Sequence, residues 1–261
     1  MDMTTILLLF LIGLLSGGYG TIVGSGGGFI FVPALLLLFQ IDPAIAAGTG
    51  LAIVLINSLS ALVGYRNEQN IQYKVGFMIG VSALPGSLIG VWLLQMYTSQ
   101  YFYIVFATFL VGLGVFLFSK NIRFESRHKT NMNLNKKENL TAKTFPIKWL
   151  IPFGFMMGIL SSYLGIGGGW LIVPVLVYLC RYSIRQATAT SIFTLCIYST
   201  FGVFLQIAYN SIDWLIVLCG GIGVIIGSQL GVRFSKWIPN KVIMQMLSLV
   251  LILIGFRMYF G

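Results

Sequence analysis

The chain has 261 residues, of which 57% are hydrophobic and only 8% charged, with a mean hydropathy of +0.93. Soluble domains carry about 25% charged residues because their surfaces need ions, so this composition excludes a soluble protein. Its formal charge of +10 does not mark a nucleic-acid binder either, because ten of its 16 basic and six acidic residues fall between Lys120 and Lys148. The other basic residues sit at the ends of hydrophobic runs, as topology signals do, and no nucleic-acid recognition motif accompanies them.

In chain order the apolar segments run over residues 4–24, 29–39, 44–65, 73–96 and 101–119, then over 148–166, 170–181, 184–208, 213–234 and 241–260. Most approach the ~20 residues that a helix needs to cross a bilayer, which predicts an all-α integral membrane protein. The first segment lacks the basic flank and small-residue cleavage site of a signal peptide, so it reads as a retained span. Between the two sets of five lies a polar segment rich in Asn, Lys, Thr and Glu, without apolar periodicity. Residues 1–119 therefore read as a first transmembrane repeat, 120–147 as a basic linker and 148–261 as a second repeat. The linker's positive charge suits anionic lipid headgroups.

A shift of 141 residues aligns the two sets without a gap, and nineteen of the seventy-five positions from Gly17 to Val91 are identical to those from Gly158 to Val232. Gly24/Gly165, Gly26-Gly27-Gly28/Gly167-Gly168-Gly169, Pro33/Pro174, Thr49/Thr190 and Ser58/Ser199 are among the pairs. The basic loop ends swap between the halves: Arg66 and Lys74 flank the third loop of the first, whereas Arg181, Arg185, Arg233, Lys236 and Lys241 flank the second and fourth of the second. If Lys and Arg mark cytoplasmic loops, the repeats are inverted relative to each other. The expected topology has ten crossings, a cytoplasmic linker and both termini extracytoplasmic, in the inner or plasma membrane. Arg257 alone opposes it.

The second segment of each half has only 11 or 12 residues and follows directly on a glycine triplet, the mark of a helix broken at membrane depth. Three adjacent glycines weaken a helix by about 1 kcal/mol each relative to Ala, and helix packing needs no such run. A helix N-terminus exposes unpaired N–H groups and about half a positive charge. Two such ends, at Gly26–Gly28 and Gly167–Gly169, would bind an anion without a cationic side chain. Scattered glycines at four-residue spacing read instead as packing surfaces. Ser25, Thr49, Asn57 and Ser58 in the first half, and Thr190, Ser191 and Ser199 in the second, offer polar groups to complete the site. The alternative for each hydroxyl is a bond to its own helix's carbonyls. Tyr19, Tyr163 and Tyr198 read as packing or as a path lining.

Cys180, Cys196 and Cys219 form no ligand or redox pattern, and His128, the only histidine, falls in the linker. No metal site, cofactor or Ser–His nucleophile is expected, so the chain is not read as an enzyme.

The stretches Gly24 to Pro33 with Ala46 to Gly50, and Gly165 to Pro174 with Ala187 to Ser191, resemble the sulfite exporter TauE/SafE family over nearly the whole chain except the linker. That resemblance implies an inner-membrane transporter, in a family whose members are associated with export of sulfite, sulfoacetate or other organosulfur anions. The first motif copy has Gly50 where a Ser is commoner, which would remove one ligand hydroxyl.

All six acidic residues fall in loops or at segment ends, which excludes a carboxylate proton relay within the spans and leaves sodium ligation by backbone and hydroxyls open. The sequence reading is thus a secondary transporter that exports a small anion by alternating access. An anion channel and a non-transporting scaffold are the alternatives. The oligomeric state is not legible.

Overall fold

The computed structural model describes residues 2–66, 71–96, 102–112, 114–115, 149–235, 237 and 240–260. They form the helices α1 (Met3–Val23), α2 (Gly28–Leu38), α3 (Pro43–Tyr65), α4 (Tyr73–Met96), α5 (Phe102–Gly112), α6 (Leu150–Leu164), α7 (Gly169–Tyr178), α8 (Ile184–Ala208), α9 (Trp214–Ser235) and α10 (Asn240–Phe260). No strand occurs among the described residues. The basic linker expected over 120–147 lies outside them. Helices α1, α3, α4, α8 and α9 are each long and apolar enough to cross a membrane. The two short segments expected after the glycine triplets are the short helices α2 and α7.

Local chemistry sets the helix ends. Gly24 and Gly165 close α1 and α6 in the left-handed conformation, at φ 80° and 70°, where a glycine carries no Cβ penalty. Asp42 caps α3 by accepting from the Ala44 N–H at 2.8 Å, with Pro43 in the first turn. Asp213 accepts from the N–H groups of Leu215 and Ile216 at the start of α9. Ser183 and Gln186 form a reciprocal capping box on α8. Two carboxylates that the sequence places at segment ends are therefore helix caps.

Packing follows the small residues. Gly13, Gly17 and Gly18 of α1 lie against the backbone of Gly220, Val224 and Gly227 of α9, so α1 and α9 run in the same direction. Gly154 and Gly158 of α6 lie likewise against Ile79 and Ala83 of α4, with Gly90 against Ile159, so α4 and α6 also run together. A Cβ at most of these glycines would fall within the neighbouring backbone, which is the close approach that small residues permit in membranes. Ser60 of α3 bonds to Ser228 and Gln229 of α9, and Thr49 of α3 to Asp213 just before it, making α3 parallel to α9. Thr194 bonds to Gly76 and Thr190 to Gln72, making α8 parallel to α4. By contrast α3 and α8 are antiparallel: Ala61 and Tyr65 pack with Ala189 and Ile192, whereas Leu51 packs with Val203.

The outer surface is apolar, with Leu7, Leu11, Leu15, Trp92, Leu218 and Ile222 all exposed. Such a face suits hydrocarbon, since a helix hydrophobic on all sides belongs in a core or a membrane. The interior holds hydroxyls and amides, and among the described residues no charged side chain is buried. The antiparallel pair α3 and α8 runs through the middle, with the two glycine loops held against it.

Candidate functional site

Residues 24–28 and 165–169 meet at the centre of the bundle. A Cβ on Gly28 would lie 2.9 Å from the Ile166 backbone, one on Gly167 would lie 3.1 Å from the Ser25 carbonyl oxygen, and one on Gly169 would lie 2.7 Å from Ser25 Cα. The loops thus touch backbone to backbone, and only glycine allows it. Gly26, Gly27 and Gly167 have φ of 83°, 79° and 71°, in the left-handed region that favours glycine. Gly168, the counterpart of Gly27, has φ −103°. The duplication is therefore broken at this residue.

The starts of α2 and α7 consequently converge. Neither is capped by the side chain of its own N-cap residue, a glycine in both, and the first N–H groups of a helix have no acceptor within it. Their partial positive charge is directed at the contact between the loops. The expected short helices after the glycine triplets are present, and both triplets belong to one place in the fold.

Between the loops and the long helices sit two apolar side chains. Val54 of α3 contacts the positions of Gly26, Gly28 and Gly167, and Leu195 of α8 contacts Gly26. Val54 and Leu195 are equivalent residues of the two halves, and both are fully buried. In this conformation they occupy the space beside the glycines.

The polar side chains divide into two groups. Ser25 Oγ, Ser58 Oγ and Asn57 Nδ2 are buried without a partner among the described residues. Asn57 Oδ1 accepts from Thr21 Oγ1 at 3.1 Å, so only its donor end is free. The other candidates hold the framework. Thr49 Oγ1 accepts from the Asp213 N–H at 3.1 Å, and Thr190 Oγ1 from the Gln72 N–H at 3.0 Å. These bonds are equivalents, each securing the start of the fourth helix of the other half. Ser191 Oγ donates to the Gly24 carbonyl at 2.8 Å, and Ser199 Oγ to the Leu195 carbonyl of its own helix. Gly50, the counterpart of Ser191, lies so close to Val32 and the Gly165 carbonyl that a side chain there would overlap both.

Tyr198, which the sequence reads as packing or as a path lining, instead makes hydrogen bonds at the loop itself. Its hydroxyl accepts from the Gly168 N–H and from Ser161 Oγ, so it caps the loop that begins α7. Trp170 Nε1 donates to the Gly167 carbonyl and braces the same loop. The first half has Asn57 in place of Tyr198 and Phe29 in place of Trp170, and neither makes the corresponding bond. The signal was present in the alignment of the halves, as a polar-to-aromatic exchange beside an otherwise retained motif. Val54 and Leu195 carried no signal, because an aliphatic residue within an apolar helix is unremarkable. Tyr19 packs its ring on Phe29 at 5.8 Å, and Tyr163 lies 5.6 Å from Phe102. At the turn after α7, burial pushes the Cys180 thiol above its ordinary range, which suits an unreactive packing cysteine.

A model of the sulfite exporter TauE/SafE family matches residues 9–258. The chain is 29% identical to the probable membrane transporter protein YunE of Bacillus subtilis, over 97% of each chain. It is 27% identical to the probable membrane transporter protein MJ0441 of Methanocaldococcus jannaschii, over 96% of this chain and 94% of that one. A third relative, the probable membrane transporter protein YdhB of Bacillus subtilis, is 25% identical over 99% of this chain and all of its own length. No solved structure matches the chain.

Proposed function

The chain belongs to the sulfite exporter TauE/SafE family of membrane transporters, and from this premise we propose that it exports a small oxyanion, sulfite or an organosulfur anion, across the plasma membrane. The observation that carries this reading is the convergence of the starts of α2 and α7, neither capped by its own N-cap side chain, in an interior where no charged side chain is buried among the described residues. Backbone N–H groups and two helix dipoles attract a negative charge, and no buried carboxylate repels it. The Gly168 N–H is held by Tyr198 and that of Gly26 by the Gly20 carbonyl, so Gly27, Gly28, Gly167 and Gly169 supply the N–H groups, and Ser25, Asn57 and Ser58 supply buried donors without a partner among the described residues.

An inverted-repeat, alternating-access mechanism is the form we assign to this transport. The antiparallel course of the equivalent helices α3 and α8 supports it, as does the exchange of partners that pairs α1 with α9 and α6 with α4. The position of Val54 and Leu195 supports a carrier over an open pore, since an anion reaches the glycines only when these side chains withdraw. With the cell interior negative, each charge carried outward gains about 2.3 kcal/mol per 100 mV, so export needs no buried proton relay.

Purified protein in vesicles tests the reading. Sulfite, thiosulfate and alkyl sulfonates are screened first for thermal stabilisation, because a ligand stabilises the state that it binds. The best binder is then followed as flux under an imposed potential. Saturable, counterflow-competent efflux that increases with internal negative potential is expected. Stabilisation by none of these anions would overturn the assignment, and non-saturating flux would favour a channel.

A further inference from the structure

Two of the grooves on the outer surface are related by the duplication. The first lies between α2 and α10 and measures about 320 Å³, walled by Ile30, Pro33, Ala34 and Leu38 of α2 and by Leu253 and Arg257 of α10. Leu38 and Leu253 are exposed, so it opens towards lipid. The second lies between α5, α6 and α7 and measures about 660 Å³, walled by Val105, Phe109, Gly112, Met156 and Leu171. Ile30 and Leu171 are equivalent residues, and so are Leu253 and Gly112. The approach of α5 to α10 keeps the same register, with the Gly255 position against Val111 and that of Gly114 against Ile252. Of the two grooves only the first has a charged side chain in its wall. At the sequence position equivalent to Arg257 the first half has Phe116.

Arg257 also stands apart from the other described basic residues. Lys74, Arg181 and Arg185 flank the starts of α4 and α8, whereas Arg66 and Arg233 flank the ends of α3 and α9. These four helix ends adjoin, because Tyr65 packs with Ala189, its hydroxyl bonds to Ser235 Oγ, and the Gln72 N–H donates to Thr190. Helix α10 follows α9 and carries Arg257 about 25 Å from its own start, towards the opposite end of the bundle. Asp42 and Asp213 lie at that end too, but their carboxylates are spent on helix caps. Arg257 is exposed in the last turn of α10, where a long basic side chain reaches the headgroup level.

Apolar walls that lead to a single cation match a phospholipid. The walls alone give no selectivity, since any acyl chain fills them equally well. The guanidinium does, because its planar fork pairs with a phosphate in bidentate fashion and basic pockets between membrane helices hold anionic headgroups. We propose that the α2–α10 groove binds one anionic phospholipid, with its phosphate on Arg257 and an acyl chain along Pro33, Ala34 and Leu253. The α5–α7 groove accepts chains without regard to headgroup charge. The bound lipid rests against the helix whose start forms half of the candidate site. It also supplies a counter-ion for the one basic residue that runs against the charge bias of the helix ends. The lipid site stands independently of the transport reading.

Lipid counting tests the site without a transport assay. Full-length protein in detergent is titrated with dioleoyl phosphatidylglycerol or dioleoyl phosphatidylcholine, which share their chains and differ in net charge. Bound lipids are counted by native mass spectrometry. One site should prefer phosphatidylglycerol by about fivefold, the factor that one basic residue near an anionic headgroup supplies. Arg257→Gln should abolish that preference, whereas Arg233→Gln, which removes a cation from the other end, should leave it intact. Ala34→Phe fills the groove with Arg257 in place and should remove the preferred site, so the test survives if the Arg257 variant does not fold. A preference that persists in Arg257→Gln, or in Ala34→Phe, would overturn the proposal. So would an equal loss in Arg233→Gln, which would mark a diffuse charge effect. Displacement of the lipid by glycerol 1-phosphate, a headgroup without chains, would also overturn it, because the groove walls would then contribute nothing.

Discussion

The two halves of the molecule keep the same backbone and spend their side chains differently. Gly24 and Gly165 end their helices in the same left-handed turn, and Thr49 and Thr190 make equivalent bonds across the halves. At the site, however, the loop of the second half is braced by Tyr198 and Trp170, whereas the loop of the first is held by backbone bonds from Ser25 and Gly26 to the Gly20 carbonyl. The difference teaches that the shape of the loops resides in glycine dihedrals and helix starts, which both halves share, whereas their bracing resides in residues such as Asn57 and Tyr198, which diverged.

The largest expected effect comes from substituting the central glycine of each triplet. Gly27 has φ 79°, and a Cβ there would lie 2.7 Å from the Ser16 carbonyl oxygen. Strain of about 1–3 kcal/mol adds to overpacking of similar size, so Gly27→Ala should lose about 2–5 kcal/mol of stability. Gly168 has an ordinary φ, and its Cβ would press on the movable ends of Met157 and Tyr198. Gly168→Ala should cost only about 1 kcal/mol yet alter anion flux, because it displaces the hydroxyl that caps the loop. Thermal unfolding and vesicle flux on both variants make the comparison, and equal stability losses would refute the asymmetry.

Next in size is Tyr198→Phe. It leaves the Gly168 N–H without its acceptor, a loss of about 1–3 kcal/mol. An oxyanion at the loop would recover part of that loss, so sulfite should raise the melting temperature of this variant more than that of the parent protein. An unchanged ligand-induced shift would mean that the anion does not use the start of α7. Gly50→Ser, which copies Ser191 into the first half, should also destabilise, by about 1–3 kcal/mol. The Gly165 carbonyl lies 2.6 Å from the Cβ position, and Val32 is closer still. An increase in stability would show that the loops are interchangeable after all.

The segment plan was legible because apolar length and glycine placement are local properties. All ten segments have a matching helix, and the short helices start at Gly28 and Gly169. The convergence of the triplets was legible through the duplication, which put the same broken helix into both halves. The destinations of the hydroxyls were not legible, because each depends on a neighbour remote in sequence. Ser191 reaches a carbonyl 167 residues away, and Thr49 an N–H 164 residues away. Nor could the sequence show that Val54 and Leu195 fill the space beside the glycines, since aliphatic residues on a membrane helix face lipid or protein with equal ease. Gly50 was expected to cost the first half a ligand hydroxyl. The Ser191 hydroxyl it lacks is bonded to a loop carbonyl, so what Gly50 provides is room for that loop.

The smallest effect sharpens the comparison most. Thr49→Val and Thr190→Val keep shape and remove only the acceptor that secures the Asp213 or the Gln72 N–H. Both N–H groups precede a helix start and are only partly buried, so water replaces much of what is lost. Each variant should lose about 1 kcal/mol, and the two losses should agree because the bonds are equivalent and differ by only 0.1 Å in length. Threonines that frame the site should leave the KM for sulfite unchanged while the melting temperature falls slightly in both. Threonines that ligate the anion would raise KM in both variants at little cost in stability. A change of KM in only one variant would show that the divergence seen at Asn57 and Tyr198 reaches the residues that the two halves retain in common.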